Sequence, residues 1–401
     1  MSSARTDELA EVVEFLAGVP SPFGREADLA DALVQWGRAR WPNLRFATDR
    51  FDETRANVLV EAGSGDPSSA VAMYAHLDTT LTGDVAVDAA ITGDASPVPP
   101  CRRDGDELVG LGLSVAKAPV AAALTALDQA AARLATALAE DAYRLQLLLT
   151  SGGTHRLPEG ATSFGAGARR AVAAGFAPAG LLNVKGGAPA PLAAEPGAAY
   201  LGITIRGQWE PALFRSASPG VVGALGPMVG AVESWRAEFV AGADGTEVAL
   251  GAVRMGDLDK PDLMPATVTA RVFVVLSAID VPARLATDLR ARIADAVGPD
   301  LEVTVTVDAW DRAGATSTDH RLVGLVDEEW RRRFGEPPSV TNWRGSTDGV
   351  TFRAAGIPTV RVGPVIGRDP ADLRLDRVSL ADLAAFADLY ADVATRWFLS
   401  P

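Results

Sequence analysis

In the stretch VAMYAHLDTT, residues 71–80, small and apolar residues lead to His76, and Asp78 follows two positions on. A carboxylate behind one ring nitrogen fixes the tautomer of a histidine and raises the basicity of the other nitrogen. Such a pair serves either as the first half of a metal site or as a general base that needs no metal. The first use demands more donors, and the chain holds 3 His and 1 Cys. With Cys101 alone, a thiolate-rich zinc site and an intrachain disulfide framework are both excluded. A second stretch, TSGGTH at 150–155, brings Thr154 and His155 to a glycine turn. A third, NWRGSTDG at 342–349, offers Arg344, Ser346 and Thr347 as donors suited to a substrate carboxylate. Asp348 in that stretch reads as a cap for the turn.

Strands with functional residues at their ends must hold these groups. ANVLVEA (56–62), AVAMYAHLD (70–78), RLQLLLT (144–150) and AGLLNVKGG (179–187) read as strands, with helical stretches between most of them. That alternation predicts an α/β fold with a mostly parallel sheet flanked by helices. In such sheets ligands gather at the carboxyl ends of the strands, where His76 and the TSGGTH turn both fall. The pattern changes over residues 199–311 to β-α-β-β-α-β, a ferredoxin-like α+β insertion. Residues 1–198 and 312–401 then form one discontinuous α/β domain around it. The Gly-, Asp- and Pro-rich segment 83–105 reads as a surface loop or hairpin.

Composition narrows the partners. The net charge of −14 disfavours nucleic acid and anionic membranes. Acidic residues Asp7, Glu8, Glu11 and Glu14 interrupt any apolar leader, so no signal peptide is expected. The alanine-rich segment 118–139 carries Asp128 and Arg133 and reads as a buried helix rather than a membrane span. One cysteine suits a reducing cytoplasm, and a cytoplasmic protein is expected.

Nearly the whole chain resembles the zinc peptidase family M-20, the aminoacylase, carboxypeptidase G and succinyl-diaminopimelate desuccinylase group. VPSPFGREADLADAL is similar to the family's opening, YAHLDTT to its H-x-D strand end, and LVGLGLSVAKAPVAAALTAL to its G-R-G-x-x-D-x-K-G segment. LLLTSGGTH aligns with its T-x-x-E-E turn, and GSTDGVTFRAAGIPTVRVGP with LDRVSLADL matches its C-terminal signature. The resemblance implies a zinc-peptidase-like sandwich with an inserted lid and dimerisation domain, hence a homodimer through the lid. It also implies two zinc ions bridged by an aspartate, with a glutamate as general base. At the aligned positions His76 matches the first ligand and Asp78 its supporting carboxylate. Val115 stands for the bridging aspartate, and Gly153 and Thr154 for the two glutamates. Lys185 stands near the next acidic ligand and Asp372 at the C-terminal histidine. Lys117 keeps the family's lysine. The lid histidine belongs near QWEPALF, which contains none.

One imidazole cannot hold two dications, which need several carboxylates between and around them. The expectation is therefore a divergent member with no metal and no other cofactor. His76, Asp78 and His155 would supply acid–base chemistry, with Lys117, Thr154, Arg344, Ser346 and Thr347 binding a small amide- or carboxylate-bearing substrate. Other readings stay open from the residues. They are a binding or scaffold pseudoenzyme, an ordinary zinc amidohydrolase, a single metal on His76, His155 and Asp372, and a Ser/Thr nucleophile at Ser114 or Thr154. Arg254 either reaches the pocket or faces solvent.

Overall fold

The computed structural model describes residues 3–154, 164–216, 220–364 and 367–400. Strands Val71–His76 and Leu145–Thr150 are apolar runs in which all six residues are buried. Such runs carry no polar face, so both faces of the sheet must be covered. They form the middle of a six-stranded sheet ordered Arg45–Arg50, Ala56–Ala62, Leu145–Thr150, Val71–His76, Gly180–Asn183, Thr359–Arg361. The last four strands run parallel, and the first two join antiparallel. Helices Ala118–Ala137 and Leu380–Leu399 pack on each other over the larger core, which holds Leu124, Leu127, Leu383 and Tyr390. Tyr74, Leu148 and Phe352 form a smaller core with Ala168 and Leu181. The α/β class and the mostly parallel sheet are as the sequence implied.

Register fixes the site. His76 pairs with Thr150, and Tyr74 pairs with Asn183 on the other side. The carboxyl ends of three neighbouring strands therefore open onto one place. The alanine-rich helix is buried as expected, but a wide π-type turn, Leu113–Lys117, leads into it. Single π turns recur at functional sites because they displace side chains from the helical register.

The segment 83–105 is more ordered than its composition suggested. Val85–Thr92 is a helix whose cap is Asp84, accepting from the Ala86 and Val87 amides. Gly93 ends it in the left-handed conformation. Arg102–Asp104 and Glu107–Gly110 then make a hairpin that joins the antiparallel pair Gly367–Asp369 and Asp372–Ser379.

Four antiparallel strands build a second sheet in the order Glu247–Met255, Thr267–Leu276, Gly197–Arg206, Glu302–Asp311. Counted along the chain, that order is second, third, first, fourth, as in ferredoxin-like domains. Helices Gly220–Ala241 and Pro282–Val297 pack on it around their own core of Ile203, Trp235, Val272 and Leu289. The chain enters and leaves this unit through adjacent crossings, Ala194–Glu195 paired with Gly314–Ala315. A Cβ on Gly197 would lie 2.3 Å from the Asp311 carbonyl oxygen, so the two crossings touch backbone to backbone.

Glu195 anchors the crossings. Its side chain is fully buried, and it pairs with Arg353 at 2.8 Å and Arg361 at 3.2 Å. Thr347 Oγ1 donates to it at 2.8 Å and accepts from Asn183 Nδ2 at 2.7 Å. Removing the carboxylate strands two buried guanidiniums. Glu195→Ala is expected to cost about 3–5 kcal/mol, read as a lower urea midpoint at unchanged slope. A loss under about 1 kcal/mol would show that the network does not anchor the crossings.

Candidate functional site

Asp78 organises the strand ends. Its Oδ1 lies 3.1 Å from His76 Nδ1 and accepts the Gly153 amide at 2.7 Å. Its Oδ2 accepts the Thr154 amide at 2.8 Å and the Thr154 hydroxyl at 2.6 Å. Burial pushes this carboxyl up. The charge and hydrogen bond of His76, with the Thr154 and Gly153 bonds, outweigh burial and hold it well below the usual carboxylate range. A carboxylate so fixed keeps the proton on His76 Nδ1, which also lies 3.1 Å from the Asp78 carbonyl oxygen. His76 Nε2 is then the nitrogen with a free lone pair. It is buried and has no hydrogen-bond partner.

Asp348 joins this group instead of capping the turn. It stands at the head of helix Gly349–Ala354, but its side chain makes no cap hydrogen bond. It accepts from the Tyr74 hydroxyl, which also pairs with Thr150 Oγ1 at 2.9 Å. Burial pushes Asp348 up to about 6, against the pull of Lys185, Tyr74 and His76. Burial likewise lowers Lys185, opposed chiefly by Asp348. Glu26, fully buried, accepts the Gly24 and Gly152 amides on Oε1 and leaves Oε2 unpartnered. Burial and the nearby Asp78 push it up to about 7. Lys117 hydrogen-bonds to Ser21 Oγ and lies 3.5 Å from the Leu77 carbonyl oxygen. Burial lowers it to about 7, against Asp78 and Glu26.

The other residues singled out in the sequence are placed as follows. Thr154 gives its hydroxyl proton to Asp78, so it orients the carboxylate and is not poised as a nucleophile. Thr347 belongs to the Glu195 network. Ser346 Oγ is buried without a partner. Arg344 reaches Glu247 of the second unit at 2.5 Å, and Glu247 also holds Arg236 at 2.7 Å. Arg254 is exposed on its strand. The Ser114 amide donates to Asp376 at 3.0 Å. His155 lies outside the described residues. Glu26, Tyr74, Asp348 and Ser21 were not foreseen as site groups. They lie in quoted stretches, but apart from the Gly24 amide beside Glu26 their side-chain partners come from segments remote in sequence.

Among the described residues, the positions that the resemblance assigns to zinc do not fit a two-zinc centre. Val115 has no donor atom and, with Asp372, lines a separate cavity of about 450 Å³. Asp372 there is paired with Arg374 at 2.6 Å. At Gly153 a Cβ would lie 2.4 Å from His76 Cβ and 2.9 Å from Asp348 Oδ2. No glutamate can stand there while His76 and Asp348 keep their places. Among the described residues no three His, Cys, Asp or Glu side chains group as metal ligands.

Solved structures share this fold. Human carnosine dipeptidase 1 superposes with a TM-score of 0.72 at 12% identity, over 99% of this chain and 97% of that one. A tripeptidase from Staphylococcus aureus gives 0.71 at 15% identity, over 98% and 99%. An M20 family metallo-carboxypeptidase from Sulfolobus solfataricus gives 0.70 at 13%, over 100% of both chains. No family model matches the sequence. No curated protein matches it either. At these identities the likeness is one of fold: the chain is built as an M20 peptidase is built.

Two outcomes test the geometry. Gly153→Ala is expected to destabilise by about 1–3 kcal/mol, because a methyl group must displace His76 or Asp348. An unchanged urea midpoint would contradict the close packing. Glu26 binds its proton more tightly folded than unfolded, so stability falls as pH rises from its ordinary 4.5 to about 7. Glu26→Gln removes that fall. The variant should gain on the native protein, between pH 4 and pH 8, by on the order of 3 kcal/mol. Parallel stability profiles would mean that Glu26 is not shifted.

Proposed function

We propose that this peptidase-fold protein carries out metal-independent acid–base chemistry on a small metabolite bearing an amide or carboxylate. One observation carries the reading: His76 presents a buried, unpartnered Nε2 while Asp78 fixes Nδ1. Asp78 stays ionised and holds the tautomer, so Nε2 takes a proton from the substrate and returns it. Low-dielectric surroundings strengthen the contact between the protonated ring and the paired carboxylate. Lys185 and Asp348 flank the same group, and a cation there suits a substrate carboxylate. His155 is proposed as a second acid or base. Lys117, Thr154, Arg344, Ser346 and Thr347 are proposed as substrate-binding residues.

A two-zinc hydrolase is the reading this proposal replaces. Gly153 and Val115 support the replacement, since neither offers an oxygen where a shared carboxylate would be needed. We further propose no cofactor, a cytoplasmic location, and a homodimer formed through the inserted unit acting as a lid. The surface charge argues against nucleic acid and anionic membranes as partners. Among the described residues no helix is long and apolar enough to cross a membrane.

One observation favours a second reading. His76 is 1% and Asp78 0% exposed, so the pair is closed to solvent. A pair sealed in this way also suits a catalytically silent protein that uses the fold for binding.

Metal content and one variant decide among these. Protein purified without chelator should contain well under one zinc per chain, and chelator should leave turnover unchanged. About two zinc per chain, with activity lost to chelator, would restore the hydrolase. Substrate is found by mass-spectrometric screening of small amides and carboxylates. His76→Ala should then lower turnover by about 10²–10⁴-fold while melting near the native temperature. Normal turnover by that variant would end the acid–base proposal. Absence of any turnover by the native protein would favour the silent one.

A further inference from the structure

Leu77, between His76 and Asp78 in the chain, presents its carbonyl oxygen to a different cluster. Ser21 Oγ donates to it at 2.7 Å, and Lys117 Nζ lies 3.5 Å away. Lys117 Nζ and Ser21 Oγ are also hydrogen-bonded to each other. Ser21 is held in place by its backbone, whose carbonyl accepts the Thr79 amide at 3.0 Å. The lysine is set by the π turn, which ends at Lys117. Both residues line a cavity of about 210 Å³, whose wall is otherwise mostly apolar and includes Val19, Pro99 and Leu111. The acid–base reading uses Lys117 only to bind substrate and gives Ser21 no role.

The chemistry of the pair is specific. Here Lys117 Nζ donates to Ser21 Oγ, and a primary amine beside a hydroxyl at a cavity becomes its base once the amine is neutral and the hydroxyl turns its proton from the Leu77 carbonyl to it. Lys117 makes no ion pair with a carboxylate: among the described residues it contacts a hydroxyl and a carbonyl, and only the charges of Asp78 and Glu26 nearby favour its proton. Its depression to about 7 by burial leaves much of it neutral at neutral pH. Cys101 lines the same cavity, but burial and Glu14 push its thiol up to about 11. The thiol stays protonated and does not compete.

We infer that Ser21 and Lys117 form a serine–lysine acyl-transfer dyad, which takes a small uncharged ester or amide whose apolar acyl group fills this cavity. The Ser21 hydroxyl turns its proton from the Leu77 carbonyl to neutral Lys117 Nζ. Oγ then bonds to the carbonyl carbon, and the bond from that carbon to the leaving alcohol or amine breaks. The Lys117 ammonium returns the proton to the leaving group. Water next adds to the acyl-serine carbon and gives a proton to Lys117. The bond to Oγ breaks, Ser21 regains its proton, and a carboxylic acid leaves. The sum is one ester or amide plus one water giving acid plus alcohol or amine, with no other reactant.

The probe is diisopropyl fluorophosphate, added to the full chain and followed by intact-protein and peptide mass spectrometry. The expected result is one adduct per chain on Ser21, with loss of fluoride, absent in Ser21→Ala. Lys117→Arg keeps the charge and the donors but cannot accept a proton near neutrality. Its labelling rate should fall by about 10²-fold or more. A lysine that merely packs would leave that rate unchanged. Lys117→Gln, uncharged and of similar reach, replaces the arginine variant if thermal melting shows the latter unfolded. The inference is overturned if the folded native protein takes no label, if the label sits elsewhere than Ser21, or if labelling persists at the native rate in the folded lysine variant.

Discussion

The buried carboxylate of Asp78 is the constraint on which the rest of the site depends. An ionised carboxylate is costly to bury unless its oxygens are fully partnered. Here the partners are a ring nitrogen of the preceding strand end, two amides and one hydroxyl of the neighbouring turn. The strand carrying His76 and the strand carrying Thr150 are thereby tied together at their carboxyl ends, beyond the last ladder hydrogen bond. The turn needs glycine at 153 because His76 and Asp348 fill the space where a side chain would start. The absence of a side chain there is thus a packing requirement of this arrangement.

Around that carboxylate sits an unusual density of buried ionisable groups. Glu26, Lys117 and Asp348 are all displaced by burial toward their neutral forms, while Asp78 is displaced the other way by its partners. Groups so displaced change protonation within the range where enzymes work. Two distinct uses follow from two distinct contacts. Among the described residues the imidazole has an unfilled nitrogen with no partner, whereas the lysine has a hydroxyl beside it and a cavity in front. The turn at Leu77 joins them, since its flanking residues belong to one cluster and its carbonyl to the other.

The fold was largely legible in the sequence because its signals are local. Runs of buried apolar residues announced the central strands, and the change of pattern after residue 199 announced the second sheet. Segment 83–105 misled because glycine, aspartate and proline mark loops in general, while Asp84 there caps a helix and Asp88 binds the turn before it. The pairing of His76 with Asp78 was legible for the same local reason. Asp348 was not. At the head of a helix aspartate ordinarily caps, and only the tertiary approach of Tyr74 and the gap left by Gly153 and Gly165 draw it inward. Ser21 and Lys117 meet across 96 residues of chain, which no spacing rule anticipates.

The two units meet at the ion pair of Arg169 with Asp311, at Phe164 packed against Ala198 and Ala309, and at Glu247, which Arg236 holds from its own side and Arg344 from the other. Both arginines are half-exposed, so each attraction is modest and open to screening by salt. Of the two contacts to Glu247 only the one to Arg344 crosses between the units, and Arg236 keeps Glu247 partnered when that contact breaks. Breaking that contact therefore strands no carboxylate, whereas parting Arg169 from the buried Asp311 would. Salt thus weakens the half-exposed junction at Glu247 and leaves the junction at buried Asp311 far less screened, so the two contacts answer differently to the same ions.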